Sequence, residues 1–351
     1  MDYHDFELLV TPDRRIRAAS DEQGEAADEL RLYLNDIELT LELVELGSTN
    51  VELLKALGDK LYQALLPPDI HAHLRASQAA AQAVDCGLRI RLIVEPPELS
   101  ALPWEFLYDS DTNTFLANST QTALSRYIPY PMPRREIRDA SPPLQILLVI
   151  SGPANLDPLD AEGEETLIRE ALAEHLAAGL VELDVLSSAT IRNINHKLRE
   201  KSYNIFHFIG HGSFERGKGH VALEDRDNQA RLVDDETFSN FFLGNRSLGL
   251  AILNACQGAA TDSRQALMGL APHLVRRGVP AVIAMQYSIL DSTAKLFADE
   301  FYRTLALGWP VDATIQTTRN AISMEVGLGQ PDFATPVLFM RARDGIILSS
   351  A

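Results

Sequence analysis

Cysteine is nearly absent from this chain: 351 residues hold two, Cys86 and Cys256. Two thiols cannot build a disulfide framework, and a reducing cytoplasm is the expected compartment. Positive charge is scarce as well, with 31 Lys and Arg against 49 Asp and Glu and a net charge of −18. A nucleic-acid footprint needs a basic face, so direct nucleic-acid binding is not expected. The excess of acid instead favours solubility and basic partners or substrates. No apolar run approaches the ~20 residues that cross a bilayer. The start, Met1-Asp-Tyr-His-Asp, has neither the basic residues nor the apolar stretch of a secretory signal. No Gly-x-x-x-x-Gly-Lys-[Ser/Thr] loop occurs, and no Gly-x-Gly-x-x-Gly follows a strand, so a nucleotide-binding α/β domain has no motif to stand on. Repeats of 20–50 residues are absent, which excludes a tetratricopeptide array within the chain. Metal spacing is missing too. His71 and His73, two apart, do not share a helical face, and Glu224-Asp-Arg-Asp-Asn228 lacks the pattern of a calcium loop and reads as a solvated turn. No metal and no cofactor are expected.

What is present is an ordinary globular composition, 46% hydrophobic, enough for one large or two medium domains. Phe6 to Val10 reads as a strand. Val51, Leu54, Leu57, Leu61 and Leu65 recur at helical steps and stop at Pro67-Pro68. An alanine-rich helix follows over His71 to Val84. Leu88 to Val94 alternates apolar and basic residues, the pattern of a half-buried strand with Arg89 and Arg91 outward on a charge-protected edge. Trp104 and Glu105 read as structural, and Phe115 to Tyr127 as two short strands. The proline-rich stretch from Ile128 to Pro143 is a linker, which places one α+β domain at 1–140 and a second at 141–351. The second alternates strands and helices, with apolar runs at 144–151, 180–186, 205–210, 248–255, 279–285 and 337–340. Such alternation predicts an α/β fold, a parallel-rich sheet flanked by helices on both faces.

The stretch that organises the chain runs from Tyr203 to Gly258. Its first half ends in His211-Gly and its second in Cys256-Gln-Gly, each after an apolar run with the look of a buried parallel strand. Ligands of open α/β sheets bind just outside the carboxyl ends of the strands. If the two strands are neighbours, His211 and Cys256 meet there. An imidazole that takes a thiol proton makes a thiolate nucleophile able to attack a carbonyl. The backbone N–H groups of Gly212 and Cys256 would form the oxyanion hole. A lone Cys on an apolar strand is more often a small buried hydrophobe. Two strand ends, two turn glycines and one order suited to a single site shift the reading towards chemistry.

Phe208-Ile-Gly-His211-Gly and Leu253-Asn-Ala-Cys256-Gln-Gly resemble the His-Gly and Ala-Cys-x-Gly pair of caspase-like, clan CD cysteine peptidases. The signature Gln-Ala-Cys-[Arg/Gln/Gly]-Gly fits at Ala255 to Gly258, with Asn254 in place of the leading Gln. Within that clan the chain most resembles the CHAT domain, through Leu102-Pro-Trp-Glu-Phe-Leu-Tyr-Asp109 and Phe301-Tyr-Arg-Thr-Leu-Ala-Leu-Gly308 as well. The resemblance implies a cysteine endopeptidase with a His211–Cys256 dyad and no obligatory third member. It implies a substrate pocket lined by Asn254, with walls from Asn155, Asp157, Gln286 and Asp291. No arginine matches the caspase pocket for aspartate. Asp157 or Asp291 would select a basic residue, although Asp291 also stands where a helix cap would. It further implies a protein substrate, and an activating protein or sensor in a bacterial signalling or antiphage system. The rival reading is a catalytically silent CHAT interaction module.

Overall fold

The computed structural model describes residues 2–129, 142–215, 218–255, 261–287, 291–342 and 344–346, with only the backbone at 164, 214, 215, 218, 255, 261–264 and 291. Cys256, Gln257 and Gly258 lie outside the described residues. The chain divides into two units, Met1–Pro129 with Ile315–Thr335, and Tyr130–Thr314 with Pro336–Ala351.

The first unit is α+β. Its strands are β1 (Tyr3–Val10), β2 (Arg15–Ser20), β3 (Gly24–Glu29), β4 (Gly87–Val94), the short antiparallel pair β5 (Tyr108–Asp109) and β6 (Thr114–Phe115), and β7 (Thr122–Tyr127). They run in the order β3-β2-β1-β4-β7, antiparallel among the first three and parallel from β1 through β4 to β7. Its helices are α1 (Glu38–Glu45), α2 (Val51–Leu65), α3 (Pro68–Ala83) and α4 (Pro97–Ser100). Asn50 caps α2, its Oδ1 accepting from Leu53 N at 2.8 Å. Leu54, Leu57, Leu61 and Leu65 form the buried stripe. Gly58 lets α2 approach the Trp104–Phe106 turn: a Cβ there would lie 2.1 Å from the Phe106 carbonyl oxygen.

That turn is held by buried polar groups. Trp104 is fully buried and donates from Nε1 to Leu99 O at 2.8 Å. Glu105 takes two bonds from Arg126, Nε at 3.0 Å and Nη2 at 2.6 Å, while Arg126 also reaches the carbonyls of Ser100 and Leu102. The returning segment Ile315–Thr335 adds Arg319, which donates to Leu124 O at 3.2 Å and whose burial pulls its pKa down to about 10. Gln316 bonds the carbonyls of Leu116 and Ser119, and Phe333 packs on Phe106 and Phe115.

Strand β4 corrects the sequence reading. It is not an edge: β1 and β7 flank it. Arg89 and Arg91 are buried, not outward. Arg91 Nη2 lies 2.7 Å from Asp5 Oδ2, and the two guanidinium groups sit over the rings of Tyr127 and Tyr3. Alternation showed which face the arginines take, but that face is covered by rings and a carboxylate, which can hold a buried guanidinium.

The second unit carries β8 (Leu144–Ser151), β9 (Val181–Leu186), β10 (Ile205–Gly210), β11 (Gly212–Glu215), β12 (Lys218–Glu224), β13 (Ala230–Asp234), β14 (Leu250–Ala255), β15 (Ala281–Met285) and β16 (Pro336–Met340). The main order is β16-β15-β14-β10-β8-β9, parallel from β15 to β9, with β16 antiparallel to β15. A separate antiparallel sheet holds β11-β12-β13. The helices are α5 (Ala161–Ala171), α6 (Ala173–Ala177), α7 (Ile191–Glu200), α8 (Asp235–Ser239), α9 (Thr261–Arg276), α10 (Asp291–Ala306) and α11 (Val311–Val326), the last running on into the first unit. Apolar residues fill β8, β10, β14 and β15 almost without interruption because both faces are covered. In β10, Phe206 and Phe208 meet Phe238 of α8 on one face. His207, pointing the other way, meets Tyr302 of α10.

Candidate active site

The loops that matter leave one edge of the second unit's sheet. β8, β10, β14 and β15 are consecutive parallel neighbours, so the segments after Ser151, Gly210, Ala255 and Met285 all emerge at their carboxyl ends. The register of β10 on β14 pairs Ile209 with Asn254 and Gly210 with Ala255. His211 follows the first strand directly, and Cys256 follows the second. Gly210 is required where it stands: a Cβ would meet the Phe208 ring at 2.7 Å and Ser151 Cβ at 3.1 Å.

His211 is buried and fixed. Its Nε2–H donates to the carbonyl oxygen of Asp157 at 3.0 Å, so in the neutral ring Nδ1 is the basic nitrogen. Its own carbonyl accepts from Ala222 N at 2.9 Å. In an antiparallel ladder bonded and non-bonded pairs alternate, so the next pair, Gly212 with Val221, turns the Gly212 N–H away from β12.

The loop carrying Asp157 is tied down by the small sheet. Ser151 Oγ donates to Ala222 O at 2.7 Å, Gly152 N to Glu224 Oε1 at 3.1 Å, and Ala154 N to Asn228 O at 2.8 Å. Asn155 Oδ1 accepts from Ala230 N at 2.7 Å, so its side chain staples the loop. Glu224 is buried, contrary to its reading as part of a solvated turn, because its carboxylate satisfies Gly152 N–H. Asp225 does close a turn, its Oδ1 accepting from Asp227 N and Gln229 N.

Of the pocket candidates, Asn254 sits on β14 with a buried Oδ1 that finds no partner among the described residues. Gln286 follows β15 and is half-buried. The side chain of Asp157 is exposed. Asp291 is the first residue of α10. The Asp157 carbonyl is the group that sequence reasoning missed. A backbone oxygen acting as the orienter of a histidine leaves no side-chain signature; only the β8 loop's return towards β10 would point to it.

One cluster among the described residues has metal-like spacing: His71, Asp109 and Asp111 bring ligand atoms within 4.8 Å of one another. Arg75 Nη2 already lies 2.5 Å from Asp109 Oδ2 and 3.8 Å from Asp111 Oδ2, so a guanidinium balances the carboxylates. No described helix is long and apolar enough to cross a membrane.

No curated protein matches the chain. Among solved structures, Saccharomyces cerevisiae separase, in its complex with securin, superposes with a TM-score of 0.50 at 10% identity, over 97% of this chain and 30% of that one. A second structure of that complex gives 0.41 at 15% identity, over 83% and 18%. The Porphyromonas gingivalis RgpB pro- and mature domains give 0.47 at 12%, over 90% and 77%. The chain therefore spans less than a third of the separase chains it matches, and at such identities the likeness is one of fold, the caspase-like one. The family model of the CHAT domain matches residues 55–328. With more than half its length inside that match, the chain belongs to the CHAT domain family.

Proposed function

We propose that this chain is a cysteine endopeptidase that cleaves a partner protein, with His211 and Cys256 as its dyad. The observation that carries the reading is the parallel register of β10 on β14, which pairs Gly210 with Ala255, the residues immediately before the two candidates. His211 Nδ1 accepts the thiol proton while Nε2–H stays on the Asp157 carbonyl. The thiolate adds to the scissile carbonyl, and the N–H groups of Gly212 and Cys256 receive the oxyanion. The imidazolium then gives its proton to the leaving amine. Water, deprotonated by the same ring, releases the acyl group from sulfur and restores the thiol.

Asn254 and Gln286 line the pocket for the residue before the cut, and Asp157 or Asp291 sets a preference for a basic side chain there. The chain is idle until a protein partner or sensor reorders the loops at the strand ends, in a bacterial signalling or antiphage setting. That setting rests on the family alone. The reading is tested by mapping new protein amino termini in cells that produce the chain or its Cys256→Ala variant. Termini that depend on Cys256 are expected, and identical sets from both would leave the silent interaction module standing. Full turnover by the purified chain alone on a mapped site would contradict the partner switch.

A further inference from the structure

The far end of the same two strands holds a cleft that the peptidase reading does not use. It encloses about 580 Å³ between the carboxyl end of α7 and the 240–247 segment, just before β10 and β14 begin. That volume is in the range of small-molecule sites. No described lining residue is acidic, although the chain carries 49 acids against 31 bases. Arg199 and Arg246 line it, both exposed, and no described carboxylate pairs with either.

Arg199 alone would be unremarked, since a cation in the last turn of a helix favours the dipole. The amides are harder to dismiss. Asn204 is 9% exposed, and its Oδ1 is committed to Gln145 N at 2.9 Å. That leaves Nδ2, a donor with no described partner, as its free polar group in the wall of the cleft. Asn245 is arranged the same way: Oδ1 accepts from Ser247 N at 3.1 Å and Leu248 N at 3.2 Å, so Nδ2 is what it can offer a ligand. Two arginines and two asparagines whose Oδ1 atoms are already committed line one space, with no carboxylate among its described lining residues. Leu198, Phe241 and Leu243 supply an apolar wall beside them.

We propose that this cleft binds an organic phosphate of nucleotide size. Guanidinium forks match phosphate oxygens in pairs, and the apolar wall takes the organic part. Recognition of this kind rests on side chains and needs no glycine-rich phosphate loop. The cleft also touches the roots of both strands that lead to the candidate dyad: Gly249 N and Leu250 N donate to Asn204 O, tying the start of β14 to the residue before β10. A ligand there occupies a place suited to an effector, remote from the substrate edge. The proposal stands whether or not the chain is a peptidase.

The test is calorimetric titration of the full chain at low salt with ATP, AMP, pyrophosphate and citrate, without added metal. One nucleotide per chain is expected, with a Kd of about 10–300 μM. Arg199→Ala and Arg246→Ala should each weaken it at least about tenfold, the loss of one charge-assisted contact. Both side chains are exposed, so thermal unfolding should move little, by no more than the dipole contribution of Arg199. No heat from either nucleotide at millimolar concentration, affinity unmoved by both substitutions, or citrate bound as tightly as ATP would each overturn the assignment.

Discussion

Two histidines four residues apart on one run of chain have opposite surroundings. His207 lies in the middle of β10, fully enclosed, its Nδ1 2.9 Å from the hydroxyl of Tyr302 and its Nε2 without a partner among the described residues. His211 lies just past the strand's end, its Nε2–H on a backbone carbonyl. Burial pushes the pKa of His207 down to about 4, so it is neutral at every physiological pH. A ring sealed in this way cannot exchange protons with a substrate. A ring held at a strand end by one nitrogen can present the other. Residue type is the same; position on the sheet decides whether both ring nitrogens of a histidine are enclosed in the core.

Substitutions can break that contrast. His211→Ala should lower proteolysis by about 10²–10⁴-fold, the usual worth of a general base, at a cost of about 1–2 kcal/mol in a urea titration for the bond to the Asp157 carbonyl that it removes. His207→Ala should do the reverse. It opens a cavity and strands the Tyr302 hydroxyl, costing about 3 kcal/mol in a urea titration, with activity per folded molecule retained.

A pH series sharpens it. The folded pKa of His207 is depressed below the ordinary imidazole value, so the unfolded chain binds the extra proton. The contribution to stability is whole above about pH 6.5 and is lost as pH falls towards about 4. Between pH 7 and pH 5 the wild type should lose about 2 kcal/mol more than His207→Phe, by linkage. Parallel curves would show that the ring is not sealed. The smallest effect belongs to the staple. Asn155→Ala frees Ala230 N–H and loosens the loop that carries the Asp157 carbonyl. It should cost about 1 kcal/mol of stability and lower kcat several-fold with KM little changed.

The strands around the site were legible because apolar runs such as Leu144 to Ser151 and Ile205 to Gly210 admit few other readings. The neighbourhood of β10 and β14 was also within reach, since His-Gly and Cys-Gln-Gly suit one site only if their strands adjoin. What escaped was whatever depends on a partner distant in sequence. Arg91 looks like an outward residue until Asp5 and Tyr127 are brought against it. Glu224 looks like part of a solvated turn until Gly152 N–H is found on it. The return of Ile315–Thr335 to the first unit has no local mark, because Arg319 and Gln316 are ordinary helix residues whose carbonyl partners lie about 200 positions upstream. The Asp157 carbonyl escaped for a different reason, being backbone.

The central claim is that His211 makes a thiolate of Cys256, and alkylation measures this without knowledge of any substrate. In a Cys86→Ser background, which removes the other thiol, iodoacetamide should modify Cys256 at pH 6 well above the rate of a free cysteine, whose thiol ionises near pH 8.5. His211→Ala should return the rate and its pH dependence to those of a free thiol, while His207→Phe should leave both as in the parent. Identical profiles for the parent and His211→Ala would contradict the claim.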